Sequence, residues 1–233
     1  MSLNRELIIV GDTTFFSHGN GLIVFREPHL KQNVYWNFVP TERIEYYRQG
    51  RLKLEQGGYS IKAVVLDGRP GIRAVFSDLP VQMCHFHQKQ IIKRYLTSRP
   101  KLEASRELKA LTNELSKISG EEFIAGLNQW EWRWQEFMNE KAVDASTGRR
   151  RFIHRRLRSA YRSLKNNLPY LFTYQKYPEL HLPNTTNCLD GFFNRLKSLI
   201  YVHRGQSVAR RKRIIIEILK GRNRQKRPHQ KDH

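Results

Sequence analysis

Four short segments in the first 68 residues restrict the fold more than any other feature of the chain. Three of them, ELIIVGDTTFF, GLIVFREP and NVYWNFV, are rich in β-branched and aromatic side chains and are joined by short turns, which predicts an antiparallel meander. A helical pattern follows from Thr41 as N-cap to a stop at Gly57. The fourth segment, SIKAVVLDG, ends in a continuous apolar run that is typical of a buried parallel strand. This order predicts a mixed sheet in an α/β protein.

The middle of the chain has a different character. After a short helix, a fifth strand in PVQMCHFH and a helix in QKQIIKRYL, the sequence carries helix formers and no convincing strand until the helical segment TTNCLDGFFNRLKSLI. We therefore predict a five-stranded mixed sheet flanked by helices, interrupted by an all-helical insertion of three or four helices. The predicted parts are residues 1–100 for the first part of the core, 101–183 for the insertion, 184–221 for the C-terminal core helices and 222–233 for a basic disordered tail.

The charge of the chain indicates its partner. Lys and Arg number 42 against 21 Asp and Glu, a formal net charge of +21, and residues 191–233 alone hold 13 basic against 2 acidic residues. A polyanion, most simply DNA, explains this excess better than a small-molecule substrate does. The alternative interpretation is a solvated basic face or tail that binds nothing specific.

Cysteine content and hydropathy predict the compartment. Cys84 and Cys188 are too few for a disulfide scaffold, so a reducing compartment, the cytoplasm, is expected. No apolar run reaches the roughly 18 residues that a membrane span needs, and the run LIIV is too short for a signal peptide.

Two carboxylates stand at equivalent places in the pattern. Asp12 lies at the end of the first strand and Asp67 at the end of the fourth. If these strands are neighbours, the two acids meet and repel each other unless a cation binds between them. Mg²⁺ or Mn²⁺ takes such oxygen ligands, and a third acid, Asp190, would complete a two-metal site for in-line phosphoryl transfer. The alternative for each Asp is a turn or helix-cap residue.

Several blocks of the sequence resemble one known family. The strings GDTTFF, VVLDGRPGIRAVF, MCHFH and TTNCLDGFFNRLKSLIYVHRG, in this order, are similar to the catalytic core of bacterial insertion-sequence transposases related to the eukaryotic Mutator-like elements. The resemblance covers Glu6 to about Leu219. It implies a ribonuclease H-like fold, with Asp12 and Asp67 as the first two acids of the catalytic triad, and two Mg²⁺ or Mn²⁺ ions that serve DNA cleavage and strand transfer.

The third acid departs from the family pattern. Asp190 falls where most members carry Glu, and its side chain is one methylene shorter, so its helix must approach the metals more closely or use a water ligand. Glu179 is the nearest alternative acid, in a predicted loop.

The resemblance also assigns a C-x2-H motif, Cys84 and His87, after the second acid. These two side chains are expected to pack beneath the active site or to position the second acid. A structural zinc site is the alternative, but it needs four ligands, and only His85 and Cys188 are available as supplements.

The remaining expectations concern tryptophans and DNA contacts. Trp130 and Trp134 lie four residues apart on one helical face, which favours core packing, with stacking on a base as the alternative. Basic side chains of the last two helices are expected to contact the DNA backbone rather than to read bases. This set consists of Lys197, which lies on the same helical face as Asp190 and Asn194, together with His203, Arg204, Arg210, Arg211 and Arg213.

These inferences together predict a DNA transposase catalytic core that acts as a homo-oligomer on DNA. Met1 stands only a few residues before the first strand, so we expect an N-terminally truncated reading frame without the end-recognition module that family members usually carry. Two alternatives stay open, a ribonuclease H-like nuclease without strand transfer and a non-catalytic DNA-binding remnant or regulator.

Overall fold

A computed structural model describes residues 5–143, 146–202, 205 and 207–224 of the chain. The strands are β1 (Arg5–Ser17), β2 (Asn20–Glu27), β3 (Gln32–Val39), β4 (Tyr59–Leu66), β5 (Val81–Met83), β6 (Lys141–Val143) and β7 (Arg150–Phe152). The α-helices are α1 (Ile44–Gln56), α2 (Pro70–Ala74), α3 (His85–Leu96), α4 (Glu103–Asn113), α5 (Gly120–Asn139), α6 (Arg155–Leu171), α7 (Thr173–Lys176), α8 (Asn187–Val202) and α9 (Val208–Arg224). Short 3₁₀ helices span Glu114–Ser116 and Pro178–Leu180.

The strands confirm the predicted α/β class. Within the described residues, a five-stranded sheet has the order β3-β2-β1-β4-β5. β1 pairs antiparallel with β2 and parallel with β4, and β2 pairs antiparallel with β3, so the sheet is mixed. The predicted meander of three strands followed by a parallel fourth strand is therefore correct.

The chain divides into two compact units. The first unit joins the residues up to Pro80 to those from Thr186 onward, and the second unit runs from Val81 to Thr185. Residues 81–100, which we had predicted to belong to the sheet core, group with the helices of the second unit. The second boundary lies close to the predicted start of the C-terminal helices at residue 184.

The sheet of the first unit is covered on both faces. One face contributes Val10, Val24 and Val65 to a core that it shares with apolar side chains of α8 and α9. The other face packs against α1, where a Cβ at Gly50 would lie only 2.6 Å from a ring carbon of Phe25. Only glycine allows this close approach of helix and sheet. Covering both faces explains why β4 is apolar at consecutive positions.

Two local predictions differ from the structure. Helix α1 begins at Ile44 with Arg43 as N-cap, not at Thr41. Strand β5 ends at Met83, and α3 begins at His85, inside the segment PVQMCHFH that we predicted to be a strand. The chain turns at Cys84, and the amide of His85 donates to the carbonyl of Asn184 at 2.9 Å instead of continuing a strand ladder.

The second unit is built on its own apolar core. Side chains from α3 to α6 and from the chain after α6 meet in one cluster that includes Phe123, Trp130, Leu164 and Phe172. The prediction of an all-helical insertion is wrong at one place, because β6 and β7 pair as an antiparallel hairpin. Each of these strands has only three residues, and their side chains are mostly exposed, so no apolar alternation marks them in the sequence.

The C-terminal part of the chain is more helical than predicted. Helix α9 continues to Arg224, so residues 222–224 of the predicted tail are helical, and residues 225–233 lie outside the described residues. None of the helices in the described ranges combines the length and apolar character that a bilayer crossing requires.

Candidate functional site

Parallel pairing of β1 and β4 brings Asp12 and Asp67 together. The register pairs Val10 with Val65, and two further residues along each chain bring Asp12 opposite Asp67. Neighbouring strands lie about 4.8 Å apart, so this extension of the register places the two half-buried acids near each other. The prediction that β1 and β4 are parallel neighbours is confirmed. The prediction that Asp12 ends the first strand is wrong, because β1 continues to Ser17 through its antiparallel pairing with β2.

Asp12 lies on the sheet face that carries α8. Successive side chains of a strand alternate between faces, so Asp12 shares the face of Val10, whereas Asp67 follows the end of β4 at Leu66. The antiparallel partner of Asp12 is Val24, which lies in the same core as Val10 and Val65. Two independent strand registers therefore place Asp12 beside the helix that holds the third predicted acid.

The chain turns sharply after Asp67. The Asp67 carboxylate accepts a hydrogen bond from the amide of Arg69 at 3.1 Å, as in an Asx turn. Gly68 has a φ of 94°, a conformation that favours glycine. This turn directs the chain into α2 and fixes the carboxylate at the end of β4.

Asp190 lies in the first turn of α8. Its Oδ2 accepts a hydrogen bond from the Thr186 hydroxyl at 3.3 Å, and a carboxylate in this position also interacts favourably with the helix dipole. The next turn of the helix is held to the sheet by Phe192 and Phe193, which are both buried. Asp190 thus belongs to the helix that packs on the sheet face of Val10. Its carboxylate is hydrogen-bonded to Thr186, the residue just before the helix.

The three acids do not form a complete three-ligand group. Across residues 5–143, 146–202, 205 and 207–224, no set of three or more His, Cys, Asp or Glu side chains is placed to hold a metal ion. Two paired carboxylates nevertheless provide the hard oxygen donors that Mg²⁺ and Mn²⁺ prefer. The chemistry of Asp12 and Asp67 fits a divalent cation, and the role of Asp190 as a third ligand stays a prediction.

A hydrogen-bonded network that sequence reasoning missed surrounds the pair. Tyr47 of α1 is buried, and its hydroxyl donates to Glu42 Oε1 at 2.8 Å and contacts Thr13 Oγ1 at 3.1 Å. The second oxygen of Glu42 accepts from the guanidinium of Arg69. The network therefore connects the residue after Asp12 to the turn after Asp67. Arg69 stands within VVLDGRPG, but only the folded chain shows that Glu42 is its partner.

The electrostatics of Tyr47 follow from this network. Burial raises the pKa of its hydroxyl well above the usual range, and the charges of Glu42 and Asp12 raise this pKa further. The Tyr47 hydroxyl therefore stays protonated at neutral pH, where it donates a hydrogen bond to Glu42.

Removing the Tyr47 hydroxyl tests the importance of this network. For Tyr47→Phe we expect the free energy of unfolding to fall by about 1–2 kcal/mol, because Glu42 loses a buried charge-assisted hydrogen bond. Denaturant titration measures the change. Tyr46→Phe is the matched control, since Tyr46 is half-buried and none of the hydrogen bonds among the described residues involves its hydroxyl, and it should change the value by less than about 0.5 kcal/mol. Equal effects of the two substitutions would show that the network does not contribute to the free energy of unfolding.

Cys84 and His87 lie in the second unit. Cys84 is fully buried at the N-cap of α3, and His87 is half-buried one turn later. His85 does not supplement them as a zinc ligand, because its Nδ1 lies 3.1 Å from the Ser116 hydroxyl and its Nε2 lies 2.6 Å from the Leu171 carbonyl. Burial lowers the pKa of His85, which favours the neutral ring. Their role in positioning Asp67 stays a prediction.

The predicted DNA contacts fall on the first unit. Lys197 is exposed on α8 with Asn194 one turn before it, and Arg210 and Arg213 are exposed on α9. Arg211 is half-buried. His203 and Arg204 lie outside the described residues. The alternative acid Glu179 is exposed in the 3₁₀ helix of the second unit.

Core packing of the tryptophans is confirmed. Trp130 is buried, its ring stacks on Tyr161 with centroids 5.4 Å apart, and its indole N–H donates to the Ala104 carbonyl at 3.0 Å. Trp134 is partly buried against the same cluster and donates to Glu107 at 2.7 Å.

Neither the models of known protein families nor the curated protein sequences give a match to this chain. The resemblance to insertion-sequence transposases therefore depends on the motifs quoted above. The geometry of the paired acids is independent of that resemblance.

Proposed function

We propose that this chain is the catalytic core of a DNA transposase with a ribonuclease H-like fold. The observation that supports the proposal is the parallel β1–β4 register, whose last pair, Val10 and Val65, lies two residues before Asp12 and Asp67. The strand order β3-β2-β1-β4-β5 and the placement of α8 on the same face agree with this reading. The second unit then occupies the place of the insertion before the last catalytic helix.

The chemistry follows from the donor set. Asp12, Asp67 and Asp190 would hold two Mg²⁺ or Mn²⁺ ions, which supply activation of the attacking oxygen and stabilisation of the leaving oxygen. In donor cleavage, a water oxygen bonds to phosphorus while the P–O3′ bond breaks and leaves a free 3′-OH. In strand transfer, that 3′-OH attacks a target phosphodiester and displaces the target's 3′ oxygen. No covalent bond to the protein is needed.

The surrounding residues fix the position of the acids. Tyr47, Glu42 and Arg69 connect Thr13, the residue after Asp12, to the turn after Asp67, and would thereby help to position the two carboxylates. To serve as the third ligand, Asp190 would have to give up its hydrogen bond to Thr186. Lys197 and the exposed arginines of α9 would contact phosphates, which gives affinity without base reading. A homo-oligomer on DNA remains a prediction.

One observation favours a second candidate function. The bond from Thr186 to Asp190, together with the lack of a three-ligand group among the described residues, is what a non-catalytic DNA-binding remnant would show. Such a protein would keep the basic helices and would bind DNA without cutting it.

An assay with a defined DNA separates these functions. With Mg²⁺ and a nicked oligonucleotide that carries the inverted repeat flanking the gene, we expect cleavage at the repeat end and products joined to a labelled target duplex. Cleavage without joined products would assign a nuclease instead. DNA binding with no cleavage in either Mg²⁺ or Mn²⁺ would assign the non-catalytic protein.

A further inference from the structure

The second unit contains a cleft that is lined by basic side chains and by no acidic ones. It has a volume of about 510 Å³ and lies between the end of α3, the turn into α4 and the start of α6. We call it the basic cleft and define it by its aromatic and basic lining residues Tyr95, Arg99, Lys101, His154, Arg155 and Arg156.

The cations of the basic cleft are not neutralised by the protein. No carboxylate lines the cleft, and none of the ion pairs among the described residues involves Arg99, Lys101, Arg155 or Arg156. All four side chains are exposed. Elsewhere in the same unit cations are paired, for example Arg133 with Glu107 at 2.8 Å. The cleft therefore concentrates positive potential in a concave surface.

The walls of the basic cleft are held in place by specific contacts. Arg156 donates to the Arg94 carbonyl at 2.8 Å, which fixes the start of α6 to the end of α3. The ring of His154 stacks on Phe137 with centroids 3.7 Å apart and lies 3.0 Å from a Glu140 oxygen. These contacts hold the lining in position before a ligand arrives.

The β6–β7 hairpin extends the basic surface. Arg149, Arg150 and Arg151 are exposed and lead directly into the lining at His154. At the base of the hairpin, the guanidinium carbon of Arg158 lies 3.6 Å from the centroid of the Phe152 ring, so the hairpin is anchored to α6.

We propose that the basic cleft binds the phosphodiester backbone of a nucleic acid. Arginine presents a planar set of donors that matches phosphate oxygens. The volume lies within the roughly 300–1,000 Å³ of ligand clefts, which is more space than one phosphate fills, and the hairpin continues the positive surface outward. The cleft would give the second unit its own contact with nucleic acid, distant in sequence from the carboxylates and independent of catalysis.

Binding in the absence of divalent metal tests the proposal. A labelled 20-base-pair duplex is titrated with the full chain in EDTA and followed by fluorescence anisotropy at several salt concentrations. Each phosphate contact contributes about 0.9 to the slope of log K against log[salt]. For the double variant Arg99→Gln with Arg155→Gln we expect a slope smaller by about 2, and binding roughly 60-fold weaker at 0.1 M salt.

The matched control removes two charges outside the cleft. Lys117→Gln with Arg133→Gln replaces cations that are paired with Glu114 and Glu107, and its slope should stay close to that of the unsubstituted chain. Equal weakening by both double variants would overturn the proposal, because the effect would then come from net charge. Since no metal is present, a failure of catalysis leaves this measurement unaffected.

Competition and chemical protection identify the ligand. Unlabelled duplex should protect Arg99 and Arg155 of the unsubstituted chain from phenylglyoxal, measured by mass spectrometry, which gives a result even if the double variant does not fold. Inorganic phosphate that protects as well as duplex at equal phosphate concentration would assign a small-anion site and overturn the proposal. Stronger protection by polyglutamate would assign an acidic polypeptide and would also overturn it.

Discussion

Asp67→Asn is expected to reduce metal-dependent DNA cleavage by at least about 10³-fold, which corresponds to about 4 kcal/mol of activation free energy. An amide retains the size of the side chain but loses the charge that, in the proposed site, would hold a divalent cation together with Asp12. The Asx turn survives, since the amide oxygen still accepts from the Arg69 N–H. The rate of cleavage of the nicked repeat-end oligonucleotide in Mg²⁺ measures the effect.

Asp78→Asn is the matched control for this experiment. Asp78 lies in the same unit, and both of its oxygens accept from Arg51 at 2.6 Å. These hydrogen bonds lower the pKa of Asp78, which identifies a structural carboxylate held by a cation of the protein itself. The Asp78→Asn variant should cleave the DNA at a rate within a few-fold of that of the unsubstituted chain. Equal activity of Asp67→Asn and the unsubstituted chain would contradict the assigned role of Asp67.

The same substitution has an expected effect on stability that does not depend on activity. Without metal, Asp67→Asn should stabilise the chain by about 0.5–1 kcal/mol, because two half-exposed like charges near 5 Å no longer repel each other. With Mg²⁺ at about 100 times its dissociation constant, the unsubstituted chain should gain about 2.7 kcal/mol. The midpoint temperature of thermal unfolding should then rise by about 5–10 °C. The Asp67→Asn variant should lose most of this increase.

Trp130→Ala is expected to destabilise the second unit by about 3–5 kcal/mol. The substitution removes the largest ring from the helical core, ends the stacking on Tyr161 and leaves the Ala104 carbonyl without its indole donor. Denaturant unfolding measures the loss. A change this large shows that Trp130 acts in the core rather than on a base.

Trp132→Ala is the internal control, because Trp132 lies on the same helix with 77% of its surface exposed. Its replacement should change stability by less than about 0.5 kcal/mol. If Trp130→Ala instead kept full stability and lost only DNA affinity, the base-stacking alternative would replace the core assignment.

Much of the architecture was predictable because its signals are local. The apolar run of SIKAVVLDG and the short links between the first three strands indicated a mixed sheet, and the i, i+4 spacing of Trp130 and Trp134 indicated a core face. The β6–β7 hairpin was missed because three exposed residues per strand carry no alternation. Strand β5 was predicted to be too long because the chain turns at Cys84, where the His85 amide donates to the Asn184 carbonyl, about one hundred residues away in sequence.

The candidate site was also predicted only in part. The parallel pairing of the strands that carry Asp12 and precede Asp67 was predicted correctly, whereas the continuation of β1 beyond Asp12 and the hydrogen bonds of Glu42 and Tyr47 were not foreseen. The position of Asp190 on α8 was predicted, but its hydrogen bond to Thr186 appears only in the folded chain.

By itself the sequence determined the α/β class and the basic excess, since strand and helix periodicity and charge are properties of neighbouring residues. The tertiary structure decided which segments lie next to each other. Parallel pairing made β1 and β4 neighbours, Glu42 and Tyr47 connected Thr13 to the turn after Asp67, and folding of α3, α4 and α6 gathered four cations in a cleft that no carboxylate lines. Such contacts depend on packing between segments that are distant in sequence, and no local sequence pattern specifies them.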